Sequence, residues 1–536
     1  MNIQRLPQES FFHPRIVLAG MMGSGKSTIG KLLAGYLGWE LIDTDAMIEK
    51  KAGKPIAEIF ANEGEEHFRS LESQLAEDLK TRQNRVFATG GGMLMLKKNR
   101  ENLCENTLVV HLQASVETLL DRLNQTETRP LLGINPEIHL NKIYQERKSI
   151  YESLQLQINT DDKNPYQVAL EILVHFVSTH NCLYDGDFKV HSGLNLISSL
   201  PDLLTENQIS SPIFILADTA IWHLVGSWWP QKLNELTKNK YKFITISLPG
   251  NEETKSSDVI FSLWEQLIDQ GVQRSSAVVV LGGGVLGDVG GFIASTILRG
   301  IRLIQIPTTL LAQIDAAIGG KTGINIVTNK NMVGTFYPAN HTLLDPLFLL
   351  TLSQQEFSCG LAEMIKAAVI ADAEFFEFLE KNLDQIQQRR LDVLLQAVEW
   401  SAKIKLAIVA EDLLDKSGRR ALLNLGHTLG HALESVSEFD LRHGEAVAVG
   451  MVLATKLAIR RGFCEPGVLE RLTTLLKSAR LPVVMPNYPV DKILARVKLD
   501  KKRSQDVLQF VIPTEIGKTR LLPIHSDAEL LLAFSD

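Results

Sequence analysis

Residues 20–28 read Gly-Met-Met-Gly-Ser-Gly-Lys-Ser-Thr and fit the G-x-x-x-x-G-K-[ST] pattern of a phosphate-binding loop. The apolar residues 16–19 before it are typical of a buried strand, and residues 29–34 after it have a helical pattern. Such a loop binds phosphate through backbone N–H groups at the start of a helix, so strand, loop and helix have to follow one another. The N-terminal part of the chain is therefore expected to fold as an α/β domain on a parallel sheet.

Five residues of this loop form the predicted nucleotide site, namely Gly23, Gly25, Lys26, Ser27 and Thr28. Lys26 is expected to reach the outer phosphates of ATP, and the Ser27 hydroxyl is expected to bind Mg²⁺. The alternative interpretation is a glycine-rich turn that binds nothing. The flanking strand and helix favour the phosphate site.

The length of the chain indicates how many domains it has, and its charge indicates which class of ligand it binds. A chain of 536 residues is too long for one hydrophobic core, and domains of ~100–200 residues would give about three or four. The net charge of −7 argues against a nucleic-acid surface, because proteins that bind polyanions concentrate basic charge. Local clusters of lysine and arginine are therefore expected to bind small anionic ligands.

The four cysteines, Cys104, Cys182, Cys359 and Cys464, lie far apart in the sequence and form no Cys-x-x-Cys pair. No apolar run approaches the ~20 residues that cross a bilayer, and the N-terminus lacks the apolar stretch of a secretory signal. We therefore expect a cytoplasmic protein with neither a membrane nor a nucleic acid as a partner.

Two carboxylates follow the next predicted strand, in the segment Glu-Leu-Ile-Asp-Thr-Asp at residues 40–45. Because parallel strands end at the same edge of a sheet, both carboxylates should lie beside the phosphate loop. Asp43 is expected to hold Mg²⁺ through water, and Asp45 to accept hydrogen bonds from a substrate hydroxyl. A plainer interpretation is that these residues only cap a helix, since aspartate is favoured at N-caps.

Three arginines and a triple glycine complete the first part of the chain. Arg69 and Arg147 occur in helical patterns, Arg129 occurs in a basic loop, and the glycines at residues 90–92 end a predicted strand. Guanidinium pairs bidentately with carboxylate, so one arginine is expected to bind the transferring phosphoryl group and two an anionic acceptor. Each arginine taken singly would be interpreted as an exposed surface charge.

Together these residues resemble the shikimate kinase family over residues 10–175. The resemblance implies that shikimate is bound by Asp45, Arg69, Gly91, Gly92 and Arg147. It also implies a lid over ATP that carries Arg129, and catalytic roles for Lys26, Asp45 and Arg129. The close alternative is another enzyme of the nucleoside-monophosphate-kinase type, such as a gluconate kinase.

The polar residues 178–187 are expected to form a linker after a first domain of residues 1–177. Residues 188–345 alternate short β-type runs with helical patterns, as in a nucleotide-binding α/β domain. The run at 277–281 is followed by Gly-Gly-Gly-Val-Leu-Gly-Asp, which matches G-x-G-x-x-G. The acidic residue expected about 20 positions later is missing, so Asp218, directly after another predicted strand, is the alternative ribose partner.

Residues 346–536 have mainly helical patterns and hold the candidate metal ligands. Glu363 and Lys366 share one helical face, and His427 and His431 lie four residues apart on another. With His443, which begins a further helix, Glu363 and His427 make a His₂Glu set that leaves an open position, as catalytic zinc requires. The alternative for each single histidine is a structural helix residue.

Residues 188–536 are similar to the 3-dehydroquinate synthase family. The matching motifs include Gly-Gly-Gly-Val-Leu-Gly-Asp at 282–288, Gly-Gly-Lys-Thr-Gly at 319–323, Gly-Leu-Ala-Glu-Met-Ile-Lys at 360–366 and Leu-Asn-Leu-Gly-His at 423–427. The resemblance assigns a Zn²⁺ or Co²⁺ ion to Glu363, His427 and His443. It implies that NAD is bound by Asp218, Glu252, Lys255, Gly284, Gly287, Asp288, Thr308, Thr309, Lys330 and Thr351.

The same resemblance implies a seven-carbon keto-acid sugar phosphate as substrate. The residues implied to bind it are Arg299, Asp315, Lys321, Asn331, Lys366, Lys405, Arg420, Asn424, His431 and one of Lys501 and Lys502. Catalytic roles would fall to Lys321, Lys366 and His431.

The expected fold class is α/β, with a P-loop kinase domain of nucleoside-monophosphate-kinase type on a parallel sheet. It would be fused to an α/β NAD-binding domain of residues 188–345 and an all-helical metal-binding domain of residues 346–536. The expected reactions are ATP-dependent phosphorylation of shikimate to shikimate 3-phosphate, and conversion of 3-deoxy-D-arabino-heptulosonate 7-phosphate to 3-dehydroquinate and phosphate. We also expect a homodimer through the second half. The alternatives are a degenerate module in one half, or a related sugar-phosphate cyclase or polyol dehydrogenase in the second half.

Overall fold

The computed structural model of the chain describes residues 8–124, 136–326, 329–413, 415, 418–438, 440–504 and 508–534. These residues form two compact units. The first unit contains Arg5–Ser178 and Gln388–Asp392, and the second contains Thr179–Gln387 and Val393–Asp536. None of the helices in the described ranges is long and apolar enough to cross a membrane. The sequence predicted domain boundaries at residues 177, 187 and 345. A division into two units does not test all three, so they stay predictions.

In the described residues, the first unit is a parallel five-stranded sheet accompanied by seven helices. Its strands are β1 (Arg15–Ala19), β2 (Glu40–Asp43), β3 (Arg85–Ala88), β4 (Leu108–Gln113) and β5 (Leu156–Asn159). Its helices are α1 (Lys26–Leu37), α2 (Thr44–Ala52), α3 (Ile56–Leu79), α4 (Lys97–Cys104), α5 (Val116–Asn124), α6 (Pro136–Glu152) and α7 (Pro165–Leu173). All five residues of β1 are buried, as expected for a central strand of a parallel sheet covered on both faces.

The strand order of this sheet, β2-β3-β1-β4-β5, places the phosphate loop, Asp43 and the triple glycine at one edge. The chain goes from β1 to β2 on one side and from β3 to β4 on the other, so the order reverses next to β1. Open α/β sheets bind their ligands at the carboxyl ends of the strands, where the strand order reverses. The phosphate loop follows β1, Asp43 ends β2, and the triple glycine follows β3.

The second unit begins with a mixed seven-stranded sheet and a separate hairpin. The strands are β6 (Thr179–Asp185), β7 (Lys189–Leu194), β8 (Ile213–Asp218), β9 (Phe243–Leu248), β10 (Ala277–Gly282), β11 (Arg302–Pro307), β12 (Lys321–Ile326), β13 (Asn329–Phe336) and β14 (His341–Leu344). The helices are α8 (Leu200–Glu206), α9 (Thr219–Val225), α10 (Trp229–Leu236), α11 (Ser257–Asp269) and α12 (Gly284–Thr296). The sheet order is β6-β7-β14-β11-β10-β8-β9, and β12 pairs with β13.

The segment expected to be a linker contains a strand. Residues 179–185 form β6, which pairs antiparallel with β7 at the edge of the sheet. Its central residues His180, Asn181 and Cys182 are exposed. No residue of this strand is buried, and polar side chains on an edge strand discourage pairing with another chain, so the composition that predicted a linker here belongs to an exposed strand.

The rest of the second unit is mainly helical. The helices are α13 (Gln354–Ala371), α14 (Ala373–Gln387), α15 (Leu391–Glu411), α16 (His427–Val436), α17 (His443–Arg460), α18 (Pro466–Ser478), α19 (Val490–Ser504) and α20 (Asp527–Leu531). A hairpin of β15 (Leu508–Glu515) and β16 (Lys518–Ile524) also occurs here, so the region expected to be all-helical contains two strands. Every residue of α13 from Phe357 to Ile370 is buried, which explains its almost continuously apolar sequence.

Candidate active sites

The phosphate loop of the first unit runs from β1 to α1, which begins at Lys26. Gly25 is the N-cap of α1 with φ of 93°, a left-handed conformation that glycine adopts without the steric penalty of a Cβ. No side chain caps this helix, so its first N–H groups are available to an anion. Lys26 Nζ donates hydrogen bonds to the carbonyl oxygens of Gly20 (3.0 Å) and Met21 (2.9 Å), which hold it over the loop.

A cavity of about 700 Å³ opens beside this loop. Its walls include residues 22–29, Asp43, Asp45, Arg122 and Lys163. Cavities of roughly 300–1,000 Å³ are typical of small-molecule sites. The five loop residues predicted to bind ATP therefore line the same cavity as the two predicted carboxylates.

Ser27 and Asp43 are in direct contact at the floor of this site. Ser27 Oγ donates a hydrogen bond to Asp43 Oδ2 at 2.6 Å. Asp43 Oδ1 accepts a hydrogen bond from the N–H of Ala46 at 3.3 Å, which makes Asp43 the N-cap of α2. The helix-cap interpretation thus applies to Asp43 and not to Asp45, which lies in the first turn of α2. A hydroxyl and a carboxylate side by side at a phosphate loop suit Mg²⁺.

The triple glycine at residues 90–92 packs against three side chains predicted to bind the acceptor. A Cβ added at its first position would lie 2.3 Å from Asp45 Oδ1. At the second position a Cβ would lie 2.7 Å from Arg147 Nη1, and at the third it would lie 2.3 Å from Arg69 Nη1. Larger residues would displace these groups, so the glycines allow Asp45, Arg69 and Arg147 to gather around one stretch of backbone.

Glu72 belongs to this group, although no motif predicted it. Arg69 Nη1 donates a hydrogen bond to Glu72 Oε2 at 2.7 Å, and the Glu72 side chain is 1% exposed. Burial raises the pKa of Glu72, although the contact with Arg69 opposes the shift. The two residues lie three positions apart on α3, and this spacing was the signal that the sequence offered.

In the second unit the candidate dinucleotide site lies where β8 and β10 run side by side. The chain leaves β8 for β9 on one side and β10 for β11 on the other, so the strand order reverses between them. Asp218 ends β8, and its Oδ1 accepts a hydrogen bond from the N–H of Ala220 at 2.9 Å. A Cβ on Gly250 would lie 2.0 Å from Asp218 Oδ2, so the backbone after β9 passes directly beside this carboxylate. Burial raises the pKa of Asp218.

The glycine loop leads from β10 into α12. Gly283 is the N-cap and supplies no side-chain hydrogen bond, and Gly284, Gly287 and Asp288 lie in the first two turns. The N-terminal N–H groups of α12 are therefore available to a phosphate. Thr309 packs against this loop, since a Cβ on Gly283 would lie 3.1 Å from its methyl carbon.

Lys255 connects several of the predicted residues. Its Nζ donates hydrogen bonds to Asp288 Oδ2 at 2.6 Å and to Asn331 Oδ1 at 2.5 Å. Burial raises the pKa of Asp288, and the charge of Lys255 opposes this. Glu252 Oε2 accepts a hydrogen bond from Asn325 Nδ2 at 2.8 Å. Asn325 was not predicted, because an uncharged amide outside any motif gives no signal in a single sequence.

Three further predicted dinucleotide residues are placed as follows. Thr308 follows β11 and is buried, Thr351 ends the short turn before α13, and Lys330 is exposed on β13. Their contacts with NAD stay predictions.

Glu363, His427 and His443 come from three helices and meet at one point. Glu363 Oε1 lies 3.4 Å from His427 Nε2 and 3.3 Å from His443 Nε2. The three side chains could hold a metal ion. Glu363 Oε1 is buried and has no aligned hydrogen-bond donor among the described residues. A buried carboxylate oxygen that faces two imidazole nitrogens fits a divalent cation better than it fits a protein donor.

The charges around this cluster determine which groups carry protons. Burial would raise the pKa of Glu363, but Lys366 and the imidazoles hold it well below its ordinary value. Burial and the charge of Lys366 lower the pKa of His427 to about 3. Burial alone would lower the pKa of His443, whereas Glu363 and Glu434 raise it to about 10. His443 therefore has to release a proton when a cation binds.

His431 lies beside this cluster, one turn after His427 on α16, and is exposed. Its ring centroid is 5.2 Å from that of His427 and 6.0 Å from that of His443. His431, Glu434 and His443 could form a second cation site. Of the two histidines spaced i, i+4, His427 is the one that faces Glu363.

A cavity of about 360 Å³ adjoins the cluster, and several predicted substrate residues line it. The polar residues of its wall are Asp315, Lys321, Lys366, Lys405, Asp415, Arg420, Asn424 and His427. Each lysine is paired with a carboxylate. Lys321 Nζ lies 2.6 Å from Asp415 Oδ2, whereas Lys366 pairs with Glu363 and Lys405 with Asp315. Asp415 was not predicted, because it lies in a loop outside any motif.

Two other predicted substrate residues, Arg299 and Asn331, do not line this cavity. Arg299 ends the short turn after α12 and does not line this cavity, and Asn331 contacts Lys255. Lys501 and Lys502 belong to α19, but their side chains lie outside the described part of the chain.

Comparison with known proteins assigns each half to a family. The shikimate kinase family model matches residues 22–176. The N-terminal and C-terminal models of 3-dehydroquinate synthase match residues 245–359 and 360–503. The chain is 38% identical to 3-dehydroquinate synthase of Syntrophotalea carbinolica, over 65% of this chain and 95% of that protein.

Two solved structures resemble the second half. One is 2-epi-5-epi-valiolone synthase of Streptomyces hygroscopicus with NAD⁺ and Zn²⁺ bound, with a TM-score of 0.60 and 29% identity over 66% of this chain and 97% of that one. The other is 2-deoxy-scyllo-inosose synthase with carbaglucose-6-phosphate, NAD⁺ and Co²⁺, with a TM-score of 0.58 and 25% identity over 66% of this chain and 98% of that one.

One relative spans both halves. The bifunctional shikimate kinase/3-dehydroquinate synthase of Thermotoga maritima is 33% identical over 95% of this chain and 98% of its own length. The chain therefore belongs to the family of bifunctional shikimate kinase/3-dehydroquinate synthases.

Proposed function

We propose that this chain carries both activities of its family, each in its own unit. The first unit phosphorylates shikimate to shikimate 3-phosphate with ATP and Mg²⁺. The second converts 3-deoxy-D-arabino-heptulosonate 7-phosphate to 3-dehydroquinate and phosphate with NAD⁺ and Zn²⁺ or Co²⁺. The observation that carries the proposal is the bifunctional relative that matches the chain over 95% of its length.

In the kinase unit, the phosphate loop with Lys26 would bind the outer phosphates, and Ser27 with Asp43 would hold Mg²⁺. Asp45 would orient the hydroxyl that receives the phosphoryl group. Arg69 and Arg147 would bind the shikimate carboxylate, and the backbone of Gly91 and Gly92 would contact the ring. Arg129 lies outside the described residues and is retained as the expected lid residue over ATP.

In the synthase unit, Glu363, His427 and His443 would hold the cation. Bound NAD⁺ would supply a hydride acceptor, and the cation held by these three residues would supply polarisation of substrate hydroxyl oxygens. Lys321, Lys366, Lys405 and Arg420 would bind the substrate carboxylate and phosphate, because they line the cavity next to the cluster. On binding, the substrate anions would take the place of the carboxylates that pair with these lysines. His431 would contact the substrate from the exposed side of α16.

The alternatives are less well supported. A related sugar-phosphate cyclase shares the fold, but the relatives that match the second half by sequence include several 3-dehydroquinate synthases. A polyol dehydrogenase would act on a substrate without an anion, and a cavity with three lysines and an arginine does not suit that. A degenerate kinase half would not be expected to keep Lys26, Ser27 and Asp43 together.

Two assays on one purified preparation test the proposal. The first measures phosphate release from 3-deoxy-D-arabino-heptulosonate 7-phosphate, and the second measures ATP-dependent phosphorylation of shikimate. Removal of the tightly bound cation with a chelator should stop the first reaction only, once Mg²⁺ is restored, because the kinase ion is held largely through phosphates and water. Absence of either reaction in the cation-loaded wild-type protein would refute that half of the proposal.

We also propose a cytoplasmic location and a homodimer through the synthase unit. All four cysteines are free, and Cys359 and Cys464 are buried, which suits a reducing compartment. Light scattering of the purified chain would test the dimer, and a monomer at the concentrations used for assay would contradict it.

A further inference from the structure

Glu434 contacts His443 on the side opposite to the cation cluster. His443 Nδ1 lies 2.9 Å from Glu434 Oε1, while His443 Nε2 lies 3.3 Å from Glu363 Oε1. Glu434 belongs to α16, the helix that also begins with His427, and its side chain is 15% exposed. The two nitrogens of one imidazole therefore face two different carboxylates.

This arrangement would fix the tautomer of a neutral His443 once Glu363 serves as a ligand of the cation, because Glu434 is then the carboxylate left to accept a proton from the ring. An ionised carboxylate only accepts hydrogen bonds, so the proton has to be on Nδ1 where His443 meets Glu434. The lone pair of the neutral ring is then on Nε2, the nitrogen that faces Glu363. With the opposite tautomer, the nitrogen facing the cluster would carry a hydrogen and could not bind a cation.

His427 is oriented in the same way by a backbone group. Its Nδ1 lies 3.2 Å from the carbonyl oxygen of Leu425, and its Nε2 also faces Glu363. Both imidazoles thus have an acceptor at Nδ1 and the cluster at Nε2. Only the acceptor of His443 is a side chain, so only this contact can be removed by substitution.

We propose that Glu434 is a positioning residue of the synthase site, which holds His443 through Nδ1 so that Nε2 binds the divalent cation. The inference rests on the proposed cation site of Glu363, His427 and His443. Acceptors behind ligating histidines set ring orientation and raise ligand basicity, and their loss typically weakens metal binding about 10- to 100-fold. Glu434 itself does not bind the cation under this proposal.

The competing arrangement would make Glu434 a ligand, together with His431 and His443 Nδ1. It is disfavoured because His431 is exposed, and because Glu363 Oε1 would stay buried without an aligned donor from the described residues. The two arrangements predict different results when Glu363 and Glu434 are replaced separately.

The test measures Zn²⁺ affinity of the full chain by competition with a chromogenic chelator, after the protein has been stripped of metal. Glu434→Ala should weaken zinc binding about 10- to 100-fold. Glu434→Gln keeps an acceptor oxygen for His443 Nδ1, so its zinc affinity should fall clearly less than that of Glu434→Ala. Glu438→Gln, the same substitution at an exposed residue four positions later, should bind zinc like the wild type. The melting temperature of the stripped protein and its NAD⁺ affinity should not change in either Glu434 variant.

Three results would overturn the proposal. The first is a zinc affinity of Glu434→Ala that equals the wild-type value. The second is a joint fall of zinc affinity, NAD⁺ affinity and melting temperature that Glu434→Gln does not reverse, since that pattern indicates a structural role. The third is tight zinc binding by Glu363→Ala together with none by either Glu434 variant, which would make Glu434 a ligand.

A separate variant distinguishes failure of this inference from failure of the cation site. His443→Ala removes a proposed ligand and should abolish tight zinc binding. If His443→Ala keeps the wild-type affinity, the cation site itself is wrong. If Glu434→Ala keeps the wild-type zinc affinity and His443→Ala does not, the cation site is correct and the positioning role of Glu434 is wrong.

Discussion

At the scale of single residues, both sites hold basic side chains against carboxylates. Arg69 contacts the buried Glu72 in the kinase unit, and in the synthase unit Lys405 contacts Asp315 while Lys366 contacts Glu363. Such pairs hold the charged groups in place before a substrate arrives. Removing one partner leaves the other charge buried and unpaired, which is strongly unfavourable.

Replacing Arg69 tests the shikimate-binding role. Arg69→Ala should raise KM for shikimate about 10- to 100-fold, because a hydrogen bond to a charged group contributes ~1.5–3 kcal/mol. KM for ATP should change little. Steady-state kinetics with each substrate varied in turn provide the measurement, and Arg82→Ala, at an exposed arginine, is the matched control. An equal rise in both KM values, or faster turnover of gluconate by the wild type, would refute the assignment.

The two histidines of α16 should behave differently when replaced. His427→Ala should lose tightly bound zinc, because His427 Nε2 faces Glu363. His431→Ala should keep zinc and lose turnover, because His431 lies on the exposed side of the cluster. Metal analysis of the two purified variants provides the measurement. Zinc-free His431→Ala beside zinc-loaded His427→Ala would reverse the assignment.

At the scale of secondary structure, glycines set the distances between the helices that carry the cation cluster. A Cβ on Gly450 of α17 would lie 2.0 Å from the carbonyl oxygen of Gly426, just before α16. A Cβ on Gly444 would lie 2.4 Å from the Cα of Cys359 in α13. The three helices therefore approach one another closely where they present their ligands.

Enlarging Gly450 should separate these helices. Gly450→Ala should destabilise the synthase unit by about 1–3 kcal/mol, the usual cost of overpacking a core, and reduce phosphate release. The kinase reaction should persist. Gly467→Ala, in α18, is the control, since a Cβ there meets nothing within 4 Å. Unchanged zinc affinity and phosphate release in Gly450→Ala would contradict this account of the packing.

Three imidazoles connect the neighbouring strands β6, β7 and β14. His180 Nε2 lies 2.9 Å from His191 Nδ1, and His191 Nε2 lies 2.9 Å from His341 Nδ1. Asn207 Nδ2 donates a hydrogen bond to His341 Nε2 at 2.6 Å. Burial, with the neighbouring positive groups, lowers the pKa values of His191 and His341 to about 4. Both rings are therefore neutral in the folded state at pH values where the unfolded chain binds protons.

This histidine chain should make the synthase unit sensitive to acid. The free energy of unfolding should fall as pH decreases from about 6.5 to about 4, since the unfolded state takes up protons there that the folded state does not. His191→Gln should reduce that slope by up to ~1.4 kcal/mol per pH unit. Calorimetry can follow the unfolding of the synthase unit, which is the transition whose melting temperature NAD⁺ should raise. His525→Gln, at an exposed histidine, is the control. An identical slope in His191→Gln and His525→Gln would contradict the prediction.

The elements that the sequence revealed are those whose pattern is local. The phosphate loop and the triple glycine follow strands as the sequence predicted, and His427 and His431 lie one turn apart on α16, as their spacing predicted. β6 was missed because its exposed polar residues resemble a linker. Glu434 was missed because its role depends on contact with His443, which lies on another helix. The spacing of residues within one helix does not predict such a contact.

At the scale of the whole molecule, the described residues of each predicted site belong to a single unit. Those of the kinase site lie within Arg5–Ser178, and those of the synthase site lie within Thr179–Gln387 and Val393–Asp536. The product of the synthase reaction, 3-dehydroquinate, is not the substrate of the kinase reaction. We therefore expect the two active sites of this chain to work independently.

Reciprocal inactivation of the two sites tests their independence. Phosphate release and shikimate phosphorylation are measured on the same preparations of wild type, Lys26→Ala and His443→Ala. Lys26→Ala should lose the kinase reaction, because its ammonium is expected to bind the outer phosphates of ATP, and keep wild-type phosphate release. His443→Ala should lose phosphate release and keep the kinase reaction. If either single substitution abolishes both reactions in a protein that remains folded, the two sites are not independent.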